Sequence, residues 1–429
     1  MDWLSLKEDM FLDYLYSFCR YFDRKPSHTF AKSINKRRSI MQKRIIISGG
    51  GIAGLTAALF LHKQGHEVTI LDRAQAFTNA GYLLSLKNFG VKIMEELNLA
   101  GFLRQAATPS DFMDFVDGQG NRIRRISYQK MGEGMEPSIT LTRGDLHRQI
   151  HEAVKDQVQI RMNSCIDFVE QDAHQVKITL TTKETLEADV LIISEGLRST
   201  TREKCFEDSQ LEDFNVFYVG GRLKKNHSYQ VGSFKTYIDV HKMLSIYPIR
   251  TNELAIQCYI HQTEEVSSLR QHAGPLLQQT FQNYSAEVRE LMAELLASGL
   301  VFADKMGMVH APNLVQGRIL LLGDAGYCPT ALSGMGASLS IYGAKALAHF
   351  MAESPQDLPR ALSNYNAVMQ PIARKFQTNA RNNAASFLPQ NEPNLQAFAA
   401  AFRNASESEA HRRLTDQIIL TPDQLNFVR

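Results

Sequence analysis

Residues 45–54 spell Ile-Ile-Ile-Ser-Gly-Gly-Gly-Ile-Ala-Gly, which joins a strand to a helix through a turn of glycines. Arg44 to Ser48 is continuously apolar, as is typical of a buried parallel strand, and Leu55 to Gln64 is rich in Ala and Leu and favours a helix. The glycines between them follow the pattern G-x-G-x-x-G: Gly49, Gly51 and Gly54. In such a turn the first Gly allows a sharp bend, the second lets the backbone approach a pyrophosphate, and the third lets helix and strand pack closely. The helix N-terminus then offers N–H groups to the phosphate charge.

A second strand supports a dinucleotide site. His66 to Leu71 is apolar and ends at Asp72, which lies 21 positions after Gly51. An acidic residue about 20 positions on is expected to hold a ribose hydroxyl. The alternative is an ordinary glycine turn before a core helix. A phosphate-binding loop of the Walker type is excluded, because Leu55 stands where that motif needs Lys.

A third buried strand, Arg318 to Leu322, leads into Gly323-Asp324 and a loop before a predicted helix from Ala337 to Met351. An acidic residue at a strand end can bind a sugar or ribityl hydroxyl, and the helix N-terminus would stabilise negative charge on a flat ligand. The loop residues that would shape a backbone path against such a ligand are Pro329, Gly334 and Gly336. The alternative is a surface loop in which Asp324 only caps a helix.

A fourth segment, Ala188 to Arg202, is again a strand that breaks at a glycine, at Glu195-Gly196, and ends in polar and basic residues. The alternative for this segment is a plain strand exit that leads into a solvated basic turn. A short motif, Thr142-Arg143-Gly144-Asp145-Leu146, lies between the first two glycine motifs.

Taken in their order along the chain, these motifs resemble those of the single-component FAD-dependent monooxygenases of the aromatic-hydroxylase type. The resemblance covers about residues 43–350. The loop from Gly323 to Pro329, the Leu-Ser-Gly-x-Gly after it and Gly81-Tyr82 are similar to the tetracycline-inactivating (tetracycline destructase) subgroup. The resemblance implies a Rossmann-like FAD-binding domain, with NAD(P)H as a transient reductant and dioxygen as co-substrate. It further implies hydroxylation of an aromatic or polyketide-like small molecule, with a tetracycline as one candidate, through a flavin C4a-hydroperoxide.

The resemblance also assigns cofactor contacts, with no single catalytic residue: Gly49, Gly51, Ile52, Ala53, Gly54, Asp72, Arg73, Arg143, Ile166, Glu195, Gly196, Gly323, Asp324, Pro329, Gly334, Gly336 and Ala337. Glu195 departs from the Asp of the family, which extends the carboxylate by about 1.5 Å. Flavin reduction by NAD(P)H is therefore expected to be slow unless substrate is bound.

The composition of residues 206–312 differs from that of the flanking segments. Short runs of strand-forming residues, at 216–219, 234–237, 243–247 and 254–259, predict an antiparallel sheet. Such a sheet would form the floor of an aromatic-lined pocket for a planar substrate. The residues predicted to contact substrate are Tyr82, Phe234, Tyr237, Met243 and Tyr259. For each of them a position in the sheet core, without a ligand, is the alternative.

The predicted organisation is α/β, with an inserted antiparallel sheet and a C-terminal helical segment. The expected segments are an N-terminal extension (1–40), FAD-binding residues (41–205 and 313–352), the substrate-binding sheet (206–312) and the helical segment (353–429). Family members normally begin just before the first strand, so the extension is either an appendage or upstream of a start at Met41.

Composition agrees with an ordinary globular enzyme of 429 residues, 44% hydrophobic and 21% charged. A net charge of +2 gives no electrostatic case for nucleic acid. Five cysteines without a C-x-x-C pair fit a reducing cytoplasm, and there is no metal motif and no membrane-spanning run. A cytoplasmic monomer is expected.

Two other functions remain open at this stage. One is a flavin-dependent reductase or halogenase of related fold, although halogenases usually carry a Trp-rich motif and Trp3 is the single tryptophan. The other is a non-catalytic flavoprotein that binds a small molecule without converting it, an interpretation that Glu195 supports.

Overall fold

The computed structural model describes residues 42–77, 83–128, 138–261, 269–299, 301–415 and 420–428. From Gln42 onward the chain forms one unit. The N-terminal extension and the predicted contact residue Tyr82 lie outside the described residues. Within those ranges, no helix has both the length and the apolar character needed to cross a bilayer.

The secondary structure up to residue 205 consists, in order, of β1 (Arg44–Ser48), α1 (Ile52–Lys63), β2 (Glu67–Leu71), β3 (Leu83–Leu86), α2 (Asn88–Glu96), α3 (Ala100–Ala106), β4 (Phe112–Val116), β5 (Arg122–Ser127), β6 (Ile139–Thr142), α4 (Arg143–Val154), β7 (Gln159–Arg161), β8 (Ile166–Gln171), β9 (Val176–Leu180), β10 (Thr185–Ala188), β11 (Val190–Ile193) and α5 (Thr200–Cys205).

The remaining elements are β12 (Gln210–Leu223), β13 (Ser233–Asp239), β14 (Lys242–Arg250), β15 (Glu253–His261), α6 (Leu269–Phe281), α7 (Ala286–Ala297), β16 (Val301–His310), β17 (Val315–Gln316), β18 (Ile319–Leu321), α8 (Asp324–Tyr327), α9 (Gly336–Glu353), α10 (Leu358–Phe387), α11 (Glu392–Arg403) and α12 (Glu407–Thr415), with short 3-10 turns at Ala331–Ser333 and Asp423–Leu425.

A mainly parallel sheet carries the glycine turn. Its strands run in the order β17–β18–β11–β1–β2–β7, and β1 pairs in parallel with both β11 and β2. Its central side chains are buried, which is why the strands are continuously apolar in sequence. Because β1, β2 and β11 end at the same edge, Gly49, Asp72 and Ser194 lie close together. The Gly49 N–H donates to Leu71 O, and the Ser194 N–H donates to Ser48 O.

An antiparallel sheet lies beside it, in the order β16–β12–β15–β14–β13–β4–β5. The predicted strands within residues 216–259 are confirmed as parts of β12, β13, β14 and β15. The sheet also recruits β4 and β5 from residues 112–127, outside the predicted range of 206–312. β4 pairs in parallel with β13, and β5 ends the strand order. This is a pairing across more than 100 residues, which no local pattern encodes.

The two faces of the antiparallel sheet have different partners. On one face Phe217, Leu244 and Ile256 pack against Leu277 of α6 and Leu291 of α7. The opposite face packs against the loop before α9 and against the C-terminal helices. The site lies on this second face.

Helix α10 connects the two sheets and lies within the predicted C-terminal helical segment, residues 353–429. The Asp357 side chain caps its N-terminus by accepting from the Arg360 N–H. The buried hydroxyl of Tyr365 donates to Leu321 O of β18 at 2.8 Å, and the ring of Phe387 packs on Phe115 of β4. The α/β architecture with an antiparallel sheet and C-terminal helices is confirmed.

Candidate functional site

The three glycines of the first turn have different physical roles. Gly49 has φ +106°, and a Cβ there would lie 2.5 Å from Ser194 O, so this position needs glycine for the fold. A Cβ on Gly54 would lie 2.0 Å from Gly49 O, which enforces the close packing of helix on strand. A Cβ on Gly51 would meet no protein atom within 4 Å. Only Gly51 faces open space, as expected of a glycine that makes room for a ligand.

Helix α1 begins beside this space with its N-terminal N–H groups free for a ligand. Gly51 is the N-cap residue, no side chain caps the helix, and its first turn contains no acidic residue. An anion is therefore favoured there by both the unpaired N–H groups and the helix dipole.

The Asp72 carboxylate lies at the edge of the same space. It accepts from the Gly50 N–H at 2.7 Å and from the Ala74 N–H at 2.8 Å. Each oxygen keeps acceptor capacity for a hydroxyl. Arg73, Ile166, Glu195 and Gly196 line the same cavity, which measures about 370 Å³ and is called the first cavity below.

Phe77 and His147 are two aromatic residues of this cavity that the sequence did not predict. The His147 Nε2 lies 2.7 Å from Gly50 O, and its ring centroid lies 4.2 Å from that of Phe77. His147 is one turn after Arg143 on α4, so the two side chains lie on the same face of the helix. This i, i+4 spacing to Arg143 could have predicted His147 as a site residue from the sequence.

The Glu195 carboxylate is fully engaged by the protein. It accepts from the hydroxyls of Ser48, Ser199 and Thr201 and from the Thr201 N–H. Ser48 ends β1 and Thr201 lies in α5, so the side chain ties the strand edge to the following helix. The longer side chain thus has a complete set of donors, which removes the geometric reason for expecting slow flavin reduction.

The second cavity, of about 380 Å³, lies at the start of α9. Gly323 precedes α8, and Asp324 is the first residue of that helix. Burial raises the pKa of the Asp324 carboxyl, while the positive charge of Arg143 opposes that rise. Predicted residues that line this cavity are Gly51, Ile52, Ala53, Arg143, Gly196, Asp324, Gly334, Gly336, Ala337 and Tyr259. Pro329 is buried between the lining residues Cys328 and Thr330.

The third cavity, of about 280 Å³, lies on the antiparallel sheet. Phe234, Met243 and Tyr259 line it as predicted, together with Tyr247, whose ring centroid is 4.9 Å from that of Phe234. Tyr237 does not join them. It is three residues after Phe234 on one strand, so it points to the opposite face, where its ring centroid lies 5.6 Å from that of Tyr284.

The three cavities share walls. Gly51, Arg143, Ser194 and Gly196 line both the first and the second. Residues common to the second and third are Leu83, Leu84, Ser85, Tyr247, Tyr259, Ala331 and Gly334. The site is therefore a chain of spaces that runs from the glycine turn, past Asp324, to an aromatic chamber.

This arrangement has known counterparts. The family described as FAD binding domain matches residues 42–380, and the chain belongs to that family. A flavin-dependent monooxygenase of Legionella longbeachae serogroup 1 (strain NSW150) is 24% identical over 337 residues, which covers 76% of this chain and 85% of that relative. The FAD-dependent monooxygenase asL4 of Sarocladium schorii is 23% identical over 389 residues, 82% of this chain and 89% of the relative. The protein is thus an FAD-dependent monooxygenase.

Solved structures share the fold. The tetracycline destructase Tet(55) is 21% identical with a TM-score of 0.72, covering 87% of this chain and 97% of that structure. Klebsiella pneumoniae HpxO, complexed with FAD and uric acid, is 20% identical with a TM-score of 0.78, covering 86% and 96%. The open space at Gly51, the uncapped start of α1 and the Asp72 carboxylate all fit the cofactor of this family.

Proposed function

We propose that this enzyme uses NAD(P)H and dioxygen to hydroxylate an aromatic or polyketide-like small molecule, with a tetracycline as one candidate. The observation that carries the proposal is the chain of three cavities. At the glycine-turn end it offers unpaired N–H groups and the Asp72 carboxylate, which suit a dinucleotide, and at the other end aromatic side chains, which suit an apolar ring system. When bound and reduced, FAD supplies the electrons that activate dioxygen.

The first cavity would hold the adenosine and pyrophosphate. The start of α1 faces the phosphate charge, Gly51 leaves room for it, and Asp72 accepts from the ribose hydroxyls. The rings of Phe77 and His147 add an apolar wall. Glu195 acts indirectly, since its hydrogen bonds fix the Gly196 turn against β1.

The second cavity would hold the ring system of the flavin. The N-terminus of α9 has no side-chain cap, so its N–H groups can stabilise negative charge on a bound ring. Arg143 lines both the first and the second cavity and carries a positive charge, and the half-buried Asp324 carboxylate lines the second cavity. Removing either charge would change the electrostatic potential at the ring.

The third cavity would position the substrate. Phe234, Tyr247 and Tyr259 present ring faces and edges, which favours a planar unsaturated molecule over a flexible chain. Two solved structures of tetracycline destructases, Tet(55) and Tet(51), share the fold, which supports testing tetracyclines first.

The test is turnover by the purified protein. FAD content, NADH or NADPH oxidation, oxygen uptake and product mass would be followed with a panel of phenols, N-heterocycles and tetracyclines. Substrate-dependent oxidation coupled to a product that has gained one oxygen atom is expected. A halogenated product, or binding without oxidation across the panel, would favour the halogenase or the non-catalytic alternative.

A further inference from the structure

The charged groups of the third cavity share one sign. Among the described residues that line it, Lys87 and Arg413 carry positive charge and none carries a carboxylate. Arg413 is exposed, whereas Lys87 is half-buried. The other polar side chains of the lining are neutral: hydroxyls, including those of Ser85 and Ser138, and the Asn383 amide.

Lys87 is held at the boundary with the flavin cavity. It is the N-cap residue of α2, and its backbone N–H donates to Ser338 Oγ of α9 at 2.9 Å. Its Nζ donates to Ser85 Oγ at 3.2 Å. Ser85 lines both the second and the third cavity, so the ammonium lies beside the passage between them.

Within the described chain, the ammonium has one hydroxyl acceptor and no carboxylate partner. Burial lowers the pKa of the Lys87 ammonium to about 8. It is therefore still protonated at neutral pH, although desolvation without an anion is unfavourable. An anionic ligand atom at this place would offset that cost.

We propose, on the basis of the function proposed above, that Lys87 binds the ionised hydroxyl of an acidic substrate, a phenolate or the enolate of a 1,3-dicarbonyl. An ammonium is a compact point charge that suits a single oxygen, whereas carboxylates are best matched by the fork of a guanidinium. The aromatic walls accept the ring to which that oxygen is attached. On binding, the proton of the hydroxyl is released to solvent.

The experiment compares two probes that differ in one hydrogen-bonding group. The FAD-loaded enzyme is titrated with 4-nitrophenol and with its neutral methyl ether, 4-nitroanisole. Flavin difference spectra report binding, and the separate absorption band of the nitrophenolate reports ionisation. The variants are Lys87→Met, which removes the charge at similar length, and Lys87→Arg, which keeps it. Lys92→Met, on the exposed side of the same helix, is the matched control.

The unsubstituted enzyme and the Lys92→Met variant should bind 4-nitrophenol as the phenolate, and more tightly than the ether. Lys87→Met should weaken the phenol about 10- to 100-fold, the range for a hydrogen bond to a charged group, and leave the ether unchanged. Lys87→Arg should recover most of the loss.

Equal loss for both probes in Lys87→Met, absence of the phenolate band, or failure of the unsubstituted enzyme to bind the phenol would overturn the assignment. Tighter binding of 4-nitrobenzoate than of 4-nitrophenol would show a carboxylate site and also overturn it. FAD content and NAD(P)H-dependent product formation are measured separately, so failure of the monooxygenase proposal is distinguishable from failure of this one.

Discussion

Replacement of Gly51 separates cofactor binding from folding. The residue has φ −76° and ψ −175°, a conformation open to any L-amino acid, and an added Cβ meets no protein atom within 4 Å. Gly51→Ala should therefore not destabilise the flavin-free protein. It should even stabilise it by about 0.4–1 kcal/mol, because the unfolded chain loses conformational freedom.

FAD binding, in contrast to stability, should be weakened by Gly51→Ala. The added carbon occupies the path by which the backbone approaches the pyrophosphate. If displacement of the phosphate loses one charged hydrogen bond, the cost is about 1.5–3 kcal/mol, or about 10- to 100-fold in Kd. Gly51→Val adds two further carbons and should abolish FAD binding.

The assay measures flavin absorbance per protein, FAD titration of the flavin-free protein, and its thermal unfolding. Gly101→Ala, an exposed helical position where a Cβ also meets nothing within 4 Å, is the matched control: it should leave FAD binding unchanged and raise the thermal stability slightly, as Gly51→Ala does. Gly54→Ala should instead unfold the domain, since its Cβ would lie 2.0 Å from Gly49 O. Full FAD occupancy in folded Gly51→Val would refute the reasoning, and so would unfolding of flavin-free Gly51→Ala.

Three further outcomes are expected. Glu195→Asp should lower the free energy of unfolding by about 1–3 kcal/mol, because the shorter side chain leaves buried donors unpaired, and stopped-flow measurements should find flavin reduction no faster. Asp324→Asn should raise the Tm of the flavin-free protein at pH 7. Burial raises the folded pKa of Asp324, so its charged form is destabilising, and the gain should vanish below the ordinary aspartate pKa, where both forms are neutral. Phe234→Leu should raise KM for an aromatic substrate, whereas Tyr237→Leu should lower Tm and leave KM unchanged.

Local sequence signals accounted for the part of the site that we propose to bind the flavin cofactor. The strands beside Gly49 and Asp72 are apolar because both faces of the sheet are covered, and the glycines are spaced by the turn itself. A binding turn that consecutive residues form by themselves can be predicted from the local sequence alone. For this reason the predicted order of strand, turn and helix agrees with β1, the glycine turn and α1.

The rest of the site depends on long-range pairing. Tyr237 was grouped with Phe234 by residue type, but strand alternation separates them, and that rule was available from the sequence. The placement of Lys87 was not, because the contact that holds its backbone, from the Lys87 N–H to Ser338 Oγ, joins segments 251 residues apart. The pairing of β4 and β5 with the antiparallel sheet could not be predicted from the sequence for the same reason.

Strand β5 has a consequence for the behaviour of the protein at high concentration. It ends the sheet order, and a terminal strand presents backbone groups that can pair with another molecule. Three of its six residues are arginines, Arg122, Arg124 and Arg125. Asp114 on β4 anchors two of them by ion pairs, and Arg124 adds a further positive charge to the strand. Mutual repulsion between such edges opposes edge-to-edge aggregation, so neutralising these arginines should cost solubility before it costs activity.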